Sequence, residues 1–318
     1  MTIDLRQKSK AIDFYNLRYS KGYMDDWSLY KINRIYKLLK ELNLPTSGRA
    51  LEFGCGNGVF CNILKKALPN WEVTGCDISS EGIKLAKQRY PDIKFALCDD
   101  PEIKSNKYNF IFSHHTLEHV QDIELTSLEM NNLLTKNAFL FHILPCGNEG
   151  SFEFNFCKLV KNGIDTTQDG RFFFEDPGHL RRLSSWSLSK IFGKYNFSLS
   201  QQFYSNQFFG AINWITKASP IFIFKNILLA KGDNAIASFN LFFYKLLILF
   251  FSILRQPALL FERFKRNIKF IPINLIFLFI YPLCKSVDLI LDRLADREWN
   301  KSRGERNGSE MYLFFSRL

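Results

Sequence analysis

The chain has 318 residues, with 42 Lys and Arg against 31 Asp and Glu for a formal net charge of +11. Its seven cysteines, an odd number with no C-x-x-C pair, exclude a disulfide-stapled scaffold and suit reduced thiols in a cytoplasmic protein. Met1 to Lys8 carry no apolar leader core, so no export signal is expected, and the length accommodates an α/β core plus about a hundred residues of something else.

Residues 1–48 read as a helical cap. Trp27, Tyr30, Ile32, Ile35, Leu38, Leu39 and Leu42 recur at mixed three- and four-residue spacing, and Pro45 ends the run. Next comes Arg49 to Phe60, a short apolar strand ending in Glu52 and breaking into three alternating glycines, Gly54, Gly56 and Gly58. Such a turn lets the backbone approach a ligand at the N-terminus of the following helix, predicted from Val59 to Ala67. The third glycine falls one position too early for a dinucleotide fingerprint, and Val59 stands where that pattern wants glycine. Glu52 would repel a pyrophosphate and attract the ammonium of a sulfonium-bearing amino acid. A second strand, Trp71 to Asp77, ends in a carboxylate about 20 residues past the loop, a spacing suited to gripping ribose hydroxyls. A third strand, Ile93 to Leu97, precedes Asp99, and a fourth runs from Tyr108 to Ser113.

With these four elements in register, the chain resembles the class I S-adenosylmethionine (SAM) dependent methyltransferases, whose E/D-x-G-x-G-x-G motif matches Glu52, Gly54, Gly56 and Gly58. The resemblance implies a Rossmann-like α/β fold with a seven-stranded sheet and SAM as cofactor. It implies that Asp77 holds the ribose, Ile78 packs on the adenine and Asp99 accepts from the adenine amino group. Cys55, Asp100 and His114 complete the expected cofactor contacts. Arg18 to Tyr23 look like the aromatic, glycine-containing lid of many such enzymes, so Tyr19 or Tyr23 either touches the cofactor or packs against the sheet.

His114 to Val120 follow the fourth strand, at the carboxyl edge where an open α/β sheet forms its ligand crevice. With Thr116 near the start of a helix, His115, Glu118 and His119 would share one face. Downstream, Asp176 to Ser184 resemble the G-H-x-R-x-[ST] element that follows the substrate loop in related enzymes, placing His179 at the same crevice. His115, Glu118, His119 and His179 are therefore the candidate catalytic residues, since a neutral imidazole can take a proton from a hydroxyl near pH 7. The stretch also resembles the E-x-x-E-H element with which ubiquinone-pathway and small-RNA ribose O-methyltransferases bind a divalent metal, but His115 replaces its first Glu. No metal is the primary expectation, and an ion on His115, Glu118 and His119 the alternative. All five histidines, His142 included, fall in stretches expected near one crevice.

A turn is expected from Leu133 to Asn137 before a fifth strand, Phe139 to Pro145. A helix is expected from Ser185 to Tyr195 with Ser185 as its cap, and a sixth strand from Phe197 to Tyr204. Glu310 to Arg317 look like the seventh, antiparallel strand inserted between the fifth and sixth. The expected organisation is then a cap (1–48), a SAM-binding core (49–206), a mostly helical insertion (207–307) and the final strand (308–318). Between Gln207 and Ser286 ten cations face only Asp233 and Glu262, interleaved with apolar runs at Pro220 to Ala230, Phe239 to Leu254 and Ile268 to Cys284. Each run reads as shorter than the roughly 18 to 20 apolar residues of a bilayer crossing, so insertion into an interface, with Arg263, Lys265, Arg266 and Lys269 at anionic headgroups, competes with a soluble helical cap or a dimer interface. The expected function is SAM-dependent O-methylation of a lipid-linked, glycan or quinone-like acceptor at the cytoplasmic face of the membrane. The alternatives are an RNA ribose methyltransferase and a non-catalytic SAM-binding adaptor. Ser113-His114-His115-Thr116 lacks the N/D-P-P-Y element of base amino-group methylases, and nucleic acid is not the expected partner.

Overall fold

The computed structural model describes residues 7–25, 27–264 and 271–318. Lys265, Arg266 and Lys269 of the expected headgroup contacts, and Met1 to Arg6 of the residues read for a leader, lie outside them. The chain divides into two compact units. The first comprises Met1–Pro145, Pro177–Gln202 and Met311–Leu318, and the second Cys146–Asp176 and Phe203–Glu310.

Helices α1 (Lys8–Tyr19) and α2 (Leu29–Glu41) form the N-terminal cap, the second capped by Ser28 Oγ on the Lys31 N–H. Strand β1 (Gly48–Phe53) leads through the glycine turn into α3 (Val59–Ala67). The alternation continues with β2 (Trp71–Asp77), α4 (Ser80–Arg89), β3 (Lys94–Leu97), α5 (Pro101–Ser105), β4 (Tyr108–His114), α6 (Ile123–Leu133) and β5 (Leu134–Pro145). These five strands pair in parallel in the order β3-β2-β1-β4-β5. Their apolar runs are covered on both faces, with Leu51, Phe110, Ile111, Phe112, Leu140 and Ile143 fully buried.

Beyond β5 lie α7 (Phe152–Leu159), a two-stranded hairpin of β6 (Ile164–Asp165) and β7 (Arg171–Phe172), α8 (Ser185–Gly193) and β8 (Phe197–Ser205). Helices α9 (Phe209–Lys217), α10 (Pro220–Phe222, continuing as a π-helical turn), α11 (Ala235–Phe264) and α12 (Ile271–Ser302) then precede β9 (Glu310–Arg317). The completed sheet has the order β3-β2-β1-β4-β5-β9-β8, the seven-stranded Rossmann-like arrangement expected. Ser198 Oγ donates to Ser316 O and Ser200 Oγ to Phe314 O, so β9 descends as β8 ascends.

Four local expectations are corrected. The residues around Thr116 form a turn, with His115 at φ 49°, and the helix starts at Ile123, because Asp122 caps it by accepting from the Leu125 N–H. Residues 134–138 are strand rather than turn: Tyr108 pairs with Leu134, and an irregularity before Phe110 lets β5 begin early. Helix α8 is capped by Ser184, not Ser185, and ends at Gly193. Finally, α11 is longer than its apolar run implied. Among the described residues it contains one stretch, Ala235–Glu262, with mean hydropathy 1.9, long and apolar enough to cross a membrane. Single polar residues interrupt the hydropathy but not the helix. Lys245 Nζ donates to Leu228 O (2.9 Å), the Arg255 guanidinium is buried on Asp288, and Pro257 lies within the helix.

In the second unit, residues 152–174 pack with the helices that follow them. Phe152, Phe156, Phe172 and Phe174 share one core with Ile212 and Ile215 of α9 and Leu241 and Ile248 of α11.

Candidate active site

A cavity of about 340 Å³ opens in the first unit at the carboxyl ends of β1, β2 and β4. Glu52, Gly54, Cys55, Gly56, Asp77, Ile78, Asp99, His114, His115, His119 and Tyr19 line it, joined by Tyr15, Tyr23, Met24, Trp27, Asn57 and Phe60. Two residues expected on the cofactor do not. Gly58 turns the loop into α3 at φ 82°, where a Cβ would meet Phe95 Cζ at 2.8 Å, and Asp100 spends its carboxylate capping α5 on the Glu102 N–H (2.8 Å).

The floor of the cavity is the glycine turn. Gly56 lies at φ 50°, and a Cβ there would sit 2.2 Å from the Tyr19 hydroxyl, so the lid tyrosine packs directly onto the loop. Both lid tyrosines face the cavity, Tyr23 lying edge-on to Tyr19 at 5.6 Å. Asn57 Nδ2 donates to Met24 O and Asp25 Oδ1, both at 3.0 Å, tying lid to loop. Asp77 accepts from the Gly56 and Ser79 N–H groups, each at 2.8 Å. Burial raises its pKa, and these two bonds offset only part of that. Asp99 meets Lys8 of α1 at 3.6 Å. Glu52 is 1% exposed and its Oε2 has no hydrogen-bond partner among the described residues, so burial pushes its pKa up to about 8.

The opposite wall is the 114–119 turn. Glu118 is fully buried, and three imidazole nitrogens surround its Oε1: His115 Nδ1 at 3.1 Å, His119 Nε2 at 3.9 Å and His179 Nε2 at 4.0 Å. Burial alone would raise its pKa, but the His115 hydrogen bond and the charges that His119, His115 and His179 take on when protonated at acid pH reverse this and hold it at about 2. Elementary donor chemistry assigns the tautomers. A carbonyl only accepts, so His119 Nδ1, 2.9 Å from Gly178 O, carries a proton and leaves Nε2 as the basic nitrogen on the Glu118 side. An ammonium only donates, so His115 Nε2, 3.1 Å from Lys31 Nζ, accepts, and Nδ1 carries the proton toward Glu118. The four candidate catalytic residues thus converge although the helix expected to align them is absent. Leu180 N–H donating to Glu118 O (2.8 Å) and Arg181 donating to Val120 O and Gln121 O hold the His179 segment against the turn. Glu118, His119 and His179 present ligand atoms within 4.8 Å of one another, a set able to hold a metal ion that differs from the expected one by His179 in place of His115.

His142 is not at this crevice. It is fully buried, its Nδ1 2.7 Å from Ser113 Oγ and its ring stacked on Phe192, and burial lowers its pKa to about 3. Sequence reasoning missed Lys31, which lies over the Trp27 ring at 4.7 Å, and the aromatic wall of Trp27 and Phe60, whose ring centroids lie 4.7 and 3.9 Å from that of His114. The only signal for Lys31 was its place in the helix after the lid, 84 positions from its histidine.

A family model described as a methyltransferase domain matches residues 27–202. The chain belongs to that family. It carries a SAM-dependent methyltransferase domain, with S-adenosylmethionine as the cofactor. Among curated relatives, this methyltransferase is 33% identical over 100 residues to ribosomal RNA small subunit methyltransferase C of Photobacterium profundum, covering 30% of this chain and 27% of that one. It is 34% identical over 79 residues to malonyl-[acyl-carrier protein] O-methyltransferase 1 of Ilyobacter polytropus, covering 23% and 28%. The chain spans between 27% and 39% of the length of the curated relatives it matches. Solved structures similar to it include a SAM-dependent methyltransferase from Aquifex aeolicus (17% identity, 57% of this chain and 94% of that one, TM-score 0.39) and coclaurine N-methyltransferase bound to N-methylheliamine and SAH (13%, 89% and 70%, TM-score 0.44).

The residues present fit the cofactor. The buried Glu52 Oε2, without a hydrogen-bond partner among the described residues, is an acceptor suited to the cofactor's ammonium, the glycines add no side chain of their own to the floor, and Asp77 and Asp99 follow β2 and β3 where carboxylates suit its ribose and adenine.

Proposed function

We propose that this methyltransferase transfers a methyl group to an oxygen of a lipid-linked, glycan or quinone-like acceptor at the cytoplasmic face of the membrane. The observation that carries the oxygen assignment is the Glu118 carboxylate with its three imidazoles beside the cavity. SAM, when bound, supplies an already activated methyl group, so the chain has two tasks: to position the acceptor and to take its proton. His119 is suited to the second. Its Nδ1–H is anchored on Gly178 O, its Nε2 can receive the hydroxyl proton, and the Glu118 carboxylate stabilises the imidazolium that results. His115 and His179 hold Glu118 ionised within the fold, and Trp27 and Phe60 supply an apolar wall. Similarity to an O-methyltransferase supports the oxygen assignment, and the exposed apolar side chains of the second unit support the lipid-borne acceptor. The decisive experiment incubates methyl-labelled SAM and the protein with membrane lipid, glycan and RNA fractions from cells lacking the gene. Label in a lipid or glycan fraction, lost with His119→Ala, supports the proposal, and label confined to RNA overturns it.

A second reading is favoured by one observation, the closeness of the ligand atoms of Glu118, His119 and His179. There a divalent ion would take the place of the general base. Chelator would then abolish activity and a divalent ion restore it, whereas the acid–base reading expects indifference to chelator.

A further inference from the structure

α11 is apolar on two faces, and the fold covers one. Leu241 and Ile248 enter the second unit's core against Ile212 and Ile215, and Ala237 and Ala258 on the same helix are also buried. On the other face Ile236, Phe239, Phe242, Leu246, Phe250 and Ile253, spaced by three or four residues, are each 52–75% exposed. Only 22% of the most apolar stretch of the helix is buried, whereas the core helix of a soluble protein is mostly buried. At roughly 100 Å² per half-exposed large side chain these six amount to about 600 Å², the top of the range for the largest patch on a soluble monomer. The stripe runs about 26 Å along the helix at ~1.5 Å per residue.

What would cover it is indicated by charge. No acidic residue lies between Ala235 and Phe261, and the segment leading into the helix exposes Lys225 and Lys231 against Asp233 alone. Between Ala235 and Phe261 the two cations are already held, Lys245 by the Leu228 and Ala230 carbonyls of the preceding segment and Arg255, fully buried, by Asp288, Asn213 O and Thr216 Oγ1. That burial also decides the orientation. Crossing the bilayer would strip the core face from α9 and expose the Arg255 and Asp288 pair to hydrocarbon, which is costly, whereas lying along the interface satisfies the free face and leaves the packed one intact.

We propose that the exposed face of α11 is a docking surface for an anionic phospholipid bilayer. The helix lies in the interface plane, its Phe side chains enter the acyl boundary, and Lys225 and Lys231 meet the headgroups. This deepens the membrane-face reading above by naming the surface that carries it.

The test uses the full chain with vesicles of phosphatidylcholine, with and without phosphatidylglycerol, scored by co-sedimentation. Wild type is expected to sediment with the phosphatidylglycerol vesicles, more weakly as salt rises. Phe242→Ser with Phe250→Ser should lower binding at least tenfold on both vesicle types. Lys225→Gln with Lys231→Gln should lower it about thirtyfold on the anionic ones only, since about 1 kcal/mol per cation is at stake. Ile236→Gln with Phe239→Gln gives a second apolar pair should the first not fold. Phe242→Trp should be quenched by lipids brominated near the headgroup more than by those brominated at the chain ends. Wild type that ignores vesicles, a concentration-dependent dimer abolished by the Phe pair, or quenching strongest at the bilayer midplane would each overturn the proposal. Calorimetric SAM binding separates the two readings: retained SAM affinity without vesicle binding sinks the docking surface alone, and vesicle binding without SAM affinity sinks the methyl-transfer site alone.

Discussion

Two buried glutamates face each other across the architecture of this site, and their environments push them in opposite directions. Glu52, at the end of β1, has an oxygen without a hydrogen-bond partner among the described residues and is raised to about 8 by burial. Glu118, in the turn after β4, is buried as completely yet lies at about 2, because His115 donates toward it and the three imidazoles around it are protonated in the acid range where it titrates. Burial is common to both, so the difference is the counter-charge. One carboxylate has no cation against it among the described residues, which is the behaviour of a ligand-binding group. The other has groups beside it that become cations on taking a proton, which is the behaviour of a group that organises neighbouring proton carriers.

The strongest way to break the comparison is at the floor beneath Glu52. Gly56→Val forces a Cβ onto the Tyr19 hydroxyl at a φ that valine avoids, and calorimetric SAM binding should disappear. Glu118→Gln should lower turnover by about 10² to 10⁴ by analogy with other general acid–base groups, while SAM affinity stays within about twofold, because the change lies on the acceptor side. A parallel loss of SAM affinity would show that the two ends are not separable. Glu52→Gln is the complement, lowering SAM affinity by roughly 10- to 100-fold through the loss of a charged partner for the ammonium.

The same substitution has an opposite effect on the empty protein. A folded pKa of about 8 against an ordinary 4.5 means that the folded state binds the proton more tightly, so stability falls as pH rises between those values. At pH 7, Glu52→Gln should therefore resist urea better than wild type, by about 3 kcal/mol. Glu118 runs the other way. Its contribution to stability is complete above about 4.5 and is lost as pH falls toward 2, so Glu118→Gln should flatten the acid limb of the unfolding curve. The smallest expected effect is at Lys31. Lys31→Met leaves His115 without the donor that selects its tautomer, and turnover should drop about fivefold, consistent with the ~1 kcal/mol of one hydrogen bond, with Lys31→Arg recovering part of it.

Local spacing alone determined much of this protein. Alternating glycines between a strand and a helix and carboxylates at the ends of β1 and β2 are readable from positions close together in the chain, because backbone conformation depends on near neighbours, whereas the place of the terminal strand between β5 and β8 was legible only through the family resemblance. Reading went wrong where a local pattern had two outcomes. The histidine cluster could form a helix or a turn, and the Asp122 cap decided for the turn. The apolar run of α11 could stop at Arg255 or continue past it, and burial against Asp288 let it continue. Asp100 could reach a ligand or cap a helix, and five residues of α5 claimed it. The resemblance put His179 at the crevice, but only the tertiary structure set it against Glu118 from 61 positions away, or brought Lys31 to His115 from 84, since no periodicity links such residues. Their meeting depends on which strand ends are neighbours in the sheet, and that is decided by packing of the whole core.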